Sequence, residues 1–430
     1  MKKQENTLLQ QISERSRTAT VFFLMGSAVE FPVGMKPKDT VGVLSFDTGS
    51  GFLVAPDKIV TTLQLLAEST DVRAVPGDLL VKTASNIRNR LFRRRKHPQD
   101  SKEKLYTIEG VTAYDTKNNL ALLKIAETGV PLPLGNSDTL EISETFYTLA
   151  YDDRLRCKGT ACVLQNRYKA DSWFQVKIDS SPWDSGAPVL NSKNEVVGIV
   201  SHGTGSLSAD DNQVIASVIS SDIVKELLAN SGKVMSLEQM KRHPRVRAYA
   251  VEAHADEMAE MFNNREALRC YNAALKLNPD LARIYAKRGM VKTQLENFQG
   301  GFKDFDRMIR INPGHIFAYN NRASARSALG DIQGAIDDLN KALEINPDYA
   351  VAHINLAGLK NSMTKSNIKE GDIVGAKRYC QEAIDHYNRV LALNPQNHTV
   401  RKYRKDMCRV RRMLTGLPEE GLPSVLSTRK

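Results

Sequence analysis

Between residues 18 and 225 apolar and polar positions alternate over short distances. Runs rich in valine, isoleucine, threonine and aromatics are cut by turn signals such as Pro56-Asp57, Pro76-Gly77 and Asn191-Ser192. Short runs of these residue types bounded by turn residues predict strands. From about Val246 onward the apolar positions recur with a helical period, so an all-β half is expected to precede an all-α half.

The helical half repeats itself. "LKLNPD", "IRINPG", "LEINPD" and "LALNPQ" end similar phrases, with prolines at 279, 313, 347 and 395, and the first two intervals are each 34 residues. Small residues recur where two helices must cross closely, at Ala255, Gly289, Ala323 and Ala357 on the first helix of each unit and at Ala267, Gly301, Ala335 and Ala383 on the second. Tyr271, Phe305, Leu339 and Tyr387 follow four residues after the second set, on the same helical face. Four units are therefore expected to stack around one core. The last interval is 48 residues, and its 14 extra residues, around "TKSNIKEGDIVGAK", are expected to interrupt the turn between the two helices of the fourth unit.

A chain of 430 residues exceeds what one core usually serves. The expected division is an N-terminal extension over 1–17, a β domain over 18–230, a linker over 231–245, four repeats over 246–397, a basic capping helix over 398–414 and a tail over 415–430. With 41% apolar and 25% charged residues the composition is that of an ordinary globular protein and suggests neither disorder nor a fibrous repeat. Much of the net charge of +11 lies in "IRNRLFRRRKH" (residues 87–97) and "VRKYRKDMCRVRRM" (residues 400–413). Arg88, Arg90, Arg93, Arg94, Arg95 and Lys96 are thus a candidate surface for nucleic acid or an anionic surface. The competing reading, a solvated loop and a solvated helix face, is preferred because aromatics for base stacking do not alternate with the cations. Five cysteines form no CxxC pair and no zinc spacing, so neither a metal nor a cofactor is expected, and their odd number points to a reducing compartment. The apolar run near the N-terminus starts late and is too short to span a bilayer, which predicts no transmembrane segment and a cytoplasmic location.

The helical half resembles the tetratricopeptide repeat family. Such arrays bind an extended peptide or a partner helix in a concave groove, which by the resemblance is lined here by Arg283, Lys287, Phe317, Asn320, Asn321 and Asn355. Asparagine amides pair with a peptide backbone irrespective of its sequence, and the two cations favour an acidic group. The family's clamp for chaperone tails is not matched, since Ala286 and Met290 stand where two of its polar groups belong.

Three stretches of the β half resemble the trypsin-like serine proteases, their HtrA-type branch in particular. "GSGFLVAPDKIVTTLQLLAES" (residues 49–69) is similar to the segment leading to the catalytic histidine, "YDTKNNLALLKI" (114–125) to the segment bearing the aspartate, and "PWDSGAPVLN" (182–191) to the serine loop. "ASVISSDIVKELL" (216–228) fits the last strand and closing helix. The expected fold is an all-β trypsin-like double β-barrel followed by an all-α tetratricopeptide solenoid.

On this resemblance Ser185 occupies the nucleophile position, while Gln64 stands at the histidine position and Asn119 at the aspartate position. Glutamine cannot take the serine proton, and Asn119 lacks the charge that stabilises an imidazolium. Trp183 replaces the glycine whose N–H helps bind an oxyanion beside Ser185. The domain's own histidines are His97 and His202, and His202 is a candidate displaced base. The expected function is a catalytically inactive trypsin-like domain joined to a peptide-binding scaffold in a protein assembly. The alternative is a serine endopeptidase with a rearranged Ser185–His202 dyad, whose repeats recruit substrate.

Overall fold

The computed structural model describes residues 10–12, 15–16, 19–27, 45–67, 71–76, 106–151, 157–167, 173–178, 185–208 and 211–416. Trp183, His97 and the cationic stretch from Arg88 to Lys96 lie outside the described residues. The chain divides into two compact units, one of residues 1–206 and 211–281, the other of 207–210 and 282–430.

The first unit opens with β1 (Thr20–Ser27), β2 (Ser45–Ala55), β3 (Lys58–Thr62), the short α1 (Leu63–Ala67), β4 (Asp71–Pro76), β5 (Ile108–Asp115) and β6 (Leu120–Ile125). These strands form a six-stranded sheet in the order β4-β1-β2-β3-β6-β5. The Pro56-Asp57 turn joins β2 to β3, as its residue types predict. Next come β7 (Thr145–Tyr151), β8 (Cys157–Arg167), β9 (Trp173–Ile178), β10 (Pro188–Leu190), β11 (Val196–Ser208) and β12 (Asp211–Ser220). They close into a barrel in the order β10-β11-β12-β9-β8-β7. Two barrels were expected; among the described residues the second set of strands closes, and the first forms a six-stranded sheet. Residues 77–105, between β4 and β5, lie outside the described residues. Phe146, Leu164, Phe174, Val176, Val189, Val197 and Val218 fill the barrel core. Burial there pushes the Cys162 thiol up to about 12, so at neutral pH it packs as a small apolar group.

Between α2 (Ser221–Ala229) and α3 (Leu237–Lys241), the segment expected to be a linker is tied to the sheet. Val111 and Met235 exchange backbone hydrogen bonds of 2.8 and 2.9 Å, and Gly232 N–H donates to Thr112 O at 2.8 Å. Gly110 makes room for this strap, since a Cβ there would lie 2.3 Å from Met235 O.

The first helical hairpin, α4 (Pro244–Glu260) and α5 (Asn264–Leu277), falls in the same compact unit as the strands. The fully buried Tyr249 donates its hydroxyl proton to Thr116 O at 2.9 Å, and α4 packs on α1.

The second unit contains α6 (Ala282–Gln294), α7 (Phe298–Ile311), α8 (Ile316–Ala328), α9 (Ile332–Ile345), α10 (Ala350–Glu370), α11 (Ile373–Leu393) and α12 (His398–Thr415). The small residues sit where the helices cross: a Cβ at Gly289 would meet the Phe305 ring at 2.8 Å, and one at Gly301 would meet Gly289 O at 3.1 Å. Asn297, Asp331 and Asp372 each cap a second helix by accepting from the backbone N–H three residues on.

The 14 extra residues do not interrupt the fourth turn. That turn stays short, with Gly371 in a left-handed conformation and Asp372 as the cap, while α10 and α11 each grow to 21 residues from 13 and 14 in the preceding hairpin. About seven residues added to each helix make close to two turns, so the crossing residues stay in phase. On α12, Val400, Met407 and Leu414 are buried at heptad spacing and complete a core with α11.

Candidate active site and repeat groove

The serine loop is locked to the strands around it. Ser50 N–H donates to Ser185 O at 3.0 Å, Gly186 N–H to Val200 O at 2.7 Å, and Val200 N–H to Ala187 O at 2.9 Å. Thr61 Oγ1 donates to Ser50 O at 2.7 Å. Gly186 has a φ of 94°, and a Cβ there would stand 1.8 Å from Ser50 O, so glycine is required on both counts.

Ser185 is partly exposed. Its hydroxyl donates to Ser201 O at 2.6 Å, and its oxygen lies 2.8 Å from Thr62 Oγ1. Because a serine hydroxyl has one proton, the bond to Ser201 O makes Thr62 the donor in the second contact. The serine proton is thus held by a carbonyl, and one of its lone pairs by a hydroxyl.

Asn119 is buried at the start of β6 with a φ of 60°, a left-handed conformation that asparagine tolerates. Its Oδ1 accepts from Gln64 N–H at 3.0 Å, its Nδ2 donates to Ser201 Oγ at 3.3 Å, and its own carbonyl accepts from Leu63 N–H at 3.0 Å. Gln64 lies on α1, half-buried. Ser201 therefore links Asn119, through its hydroxyl, to Ser185, through its carbonyl. Thr62 and Ser201 are site residues that motif reading missed; their positions, two before Gln64 and one before His202, were the available signal. His202 lies on β11, and its side chain is outside the described residues.

In the second unit the candidate groove residues separate. Asn355 donates to Asn320 Oδ1 at 2.8 Å, and Asn320 donates to Asn321 Oδ1 at 3.4 Å, forming an amide ladder across two repeats. Asn320 is buried in it. The Phe317 ring packs edge-on against Tyr349. Arg283 and Lys287 are half-buried on α6, and both are engaged by other groups. A cavity of about 580 Å³ opens between α8 and α10, with Ala323, Ser324, Asn355, Gly358, Tyr387 and Tyr403 among its walls. A Cβ on Gly358 would meet nothing within 4 Å. Asn355 is the one expected groove residue that lines this cavity.

Residues 49–199 match the family described as trypsin-like peptidase domain, and residues 316–349 match the tetratricopeptide repeat. A solved structure, the Rv3671c protease from M. tuberculosis in its active form, is similar at 16% identity with a TM-score of 0.37, over 54% of this chain and 88% of that one. No helix among the described residues is long and apolar enough to cross a membrane. The chain therefore joins a trypsin-like peptidase domain to a tetratricopeptide repeat region.

Proposed function

We propose that this protein is a non-hydrolytic trypsin-like domain carrying a peptide-binding helical scaffold. The observation that supports this reading is the pairing of Ser185: its proton is directed at the Ser201 carbonyl and its oxygen accepts from Thr62, so neither partner is a base. Gln64 and Asn119, at the positions the family resemblance assigns to histidine and aspartate, are neutral at every accessible pH. Loss of such groups from a triad costs on the order of 10⁴ to 10⁶ in turnover.

The scaffold role rests on the open cavity between α8 and α10, whose small side chains and lining amides of Asn355 and Asn361 suit an extended peptide. Selection of peptides from a random displayed library on the full chain tests it. Gly358→Trp, which fills open space, should abolish the selected binding while leaving the thermal transition nearly unchanged.

A second reading, an endopeptidase using His202, draws on one fact: His202 directly follows the residue whose carbonyl takes the Ser185 proton. A fluorophosphonate probe separates the two. Labelling absent from the native protein supports the non-hydrolytic reading; labelling lost in both Ser185→Ala and His202→Ala supports the dyad.

A further inference from the structure

Two helical hairpins of the second unit close with the same ion pair. Arg288 donates to Asp304 at 2.6 and 2.9 Å, and Arg322 donates to Asp338 at 2.6 and 3.0 Å. Each pair joins the first helix to the second across 16 residues, and the pairs lie 34 residues apart. One period earlier, on α4 and α5, the same two places hold His254 and Cys270. Glu266, one turn before Cys270, takes the place of Gly300 and Gly334.

Those glycines have a reason. A Cβ at Gly300 would lie 2.7 Å from the capping Asn297 side chain, and one at Gly334 would lie 2.2 Å from Asp331. With Glu266 in that place the capping bond from Glu266 N–H to Asn263 Oδ1 lengthens to 3.4 Å, against 2.9 Å at both glycines. The first hairpin thus carries a carboxylate at a locally unfavourable position, beside a histidine and a thiol. One ligand atom from each of His254, Glu266 and Cys270 lies within 4.8 Å of the other two.

We propose that His254, Glu266 and Cys270 bind a divalent cation of the zinc type, with water as the fourth ligand. Imidazole nitrogen, carboxylate oxygen and thiolate sulfur are the donors that zinc takes. Bonds of about 2.0 to 2.3 Å in a tetrahedron place donor atoms roughly 3.3 to 3.8 Å apart, so the cluster contracts by about an ångström on binding. The exposed His254 ring has the freedom to supply that movement. Glu257 Oε2 lies 3.5 Å from His254 Nδ1, close enough to orient the ring by accepting its N–H and leave Nε2 for the metal. Arg269 now holds Glu266 Oε1 at 2.7 Å, but its side chain is 79% exposed and can withdraw into water. A thiol binds zinc as the thiolate, so the Cys270 proton leaves to solvent as the cation enters.

Cobalt(II) titration of the full chain under reducing conditions is the test, because a thiolate bound to cobalt gives a charge-transfer absorption that imidazole and carboxylate do not. The expected result is a saturable band at one cobalt per chain, displaced by zinc. It should disappear in Cys270→Ser and need at least tenfold more metal in His254→Gln, whose exposed position makes loss of folding no explanation. No band in the native protein, a band that survives Cys270→Ser, or a His254→Gln affinity within twofold of native would each overturn the proposal.

Discussion

The serine site and the first helical hairpin lie in one compact unit, and the contrast between them concerns how polar groups are satisfied. At the serine site, hydroxyls, amides and carbonyls satisfy one another: Thr62, Ser185, Ser201 and Asn119 form a continuous hydrogen-bonded set. At the hairpin the contacts are looser: Cys270 Sγ donates to Glu266 Oε1 at 3.7 Å, the exposed Arg269 holds the same oxygen, and His254 lies 3.5 Å from Glu257, with His254, Glu266 and Cys270 near neighbours. Neutral groups with matched donors and acceptors close a network and become structural. Ligand-type groups held by long or exposed contacts keep a capacity to exchange those partners for a metal.

The largest expected effect tests the closed network. Gly186→Val adds side-chain atoms where a Cβ alone would approach Ser50 O to 1.8 Å, at a φ that valine strongly resists. It should destabilise the domain by more than about 4 kcal/mol, read as loss of the cooperative transition in urea. A stable Gly186→Val protein would mean that the loop is not the structural clasp described.

The next effect compares equivalent places in two hairpins. Arg322→Ala leaves the buried Asp338 with only the longer contact to Arg326, at 3.3 Å, and should cost roughly 3 kcal/mol. His254→Ala, 34 and 34 residues earlier in the repeat register, should cost less than about 0.5 kcal/mol in metal-free buffer, as an exposed side chain does. Equal losses in chemical denaturation would erase the distinction between a closed pair and an open one.

A smaller effect depends on pH. His315 caps α8 by accepting from Ala318 N–H at its Nδ1, 3.2 Å away, and burial lowers its pKa from 6.5 to about 4. A folded value below the ordinary one means that the unfolded chain binds the proton first. The stabilisation is therefore full above about pH 6.5 and is lost as the pH falls toward 4. His315→Asn keeps a capping acceptor that does not titrate, so it should lessen the fall in Tm between pH 6.5 and 4. An unchanged pH profile would remove His315 from this role.

The smallest expected change is in catalysis. Gln64→His with Asn119→Asp supplies a base and its orienting carboxylate, yet Ser185 stays bonded to Ser201 O and Thr62. Fluorophosphonate labelling should rise only slightly, and further when Thr62→Ala is added. Labelling at the rate of an ordinary protease in the double variant would show that the hydroxyl network imposes no restraint.

Much of this organisation was legible in residue order. Strand runs, the Pro56-Asp57 and Asn191-Ser192 turns and the 34-residue Asn-Pro period identify the two halves, because periodicity and turn chemistry are local properties. The stretches that resemble the serine proteases likewise fall in the strand half, which matches the trypsin-like peptidase domain over residues 49–199. Other features were hidden because they join distant segments. The Ser201 bridge spans 82 residues to Asn119 and 16 to Ser185, and no spacing rule announces it. The metal-ligand cluster was missed for a related reason: its ligands sit on two helices of one hairpin and do not show as paired cysteines. Registering the repeats on Arg288–Asp304 and Arg322–Asp338 was the signal that would have found it.

Residue order alone therefore determined the element types and the repeat length. Tertiary structure decided the remainder. It absorbed the 14 extra residues as helix rather than loop, because two added turns preserve the packing phase of α10 and α11. It also drew the first hairpin into the unit of the strands, through Tyr249 and Thr116, although the repeat period continues across that boundary. Local pattern sets which faces are apolar, but which surface each face covers depends on contacts between parts of the chain far apart in sequence.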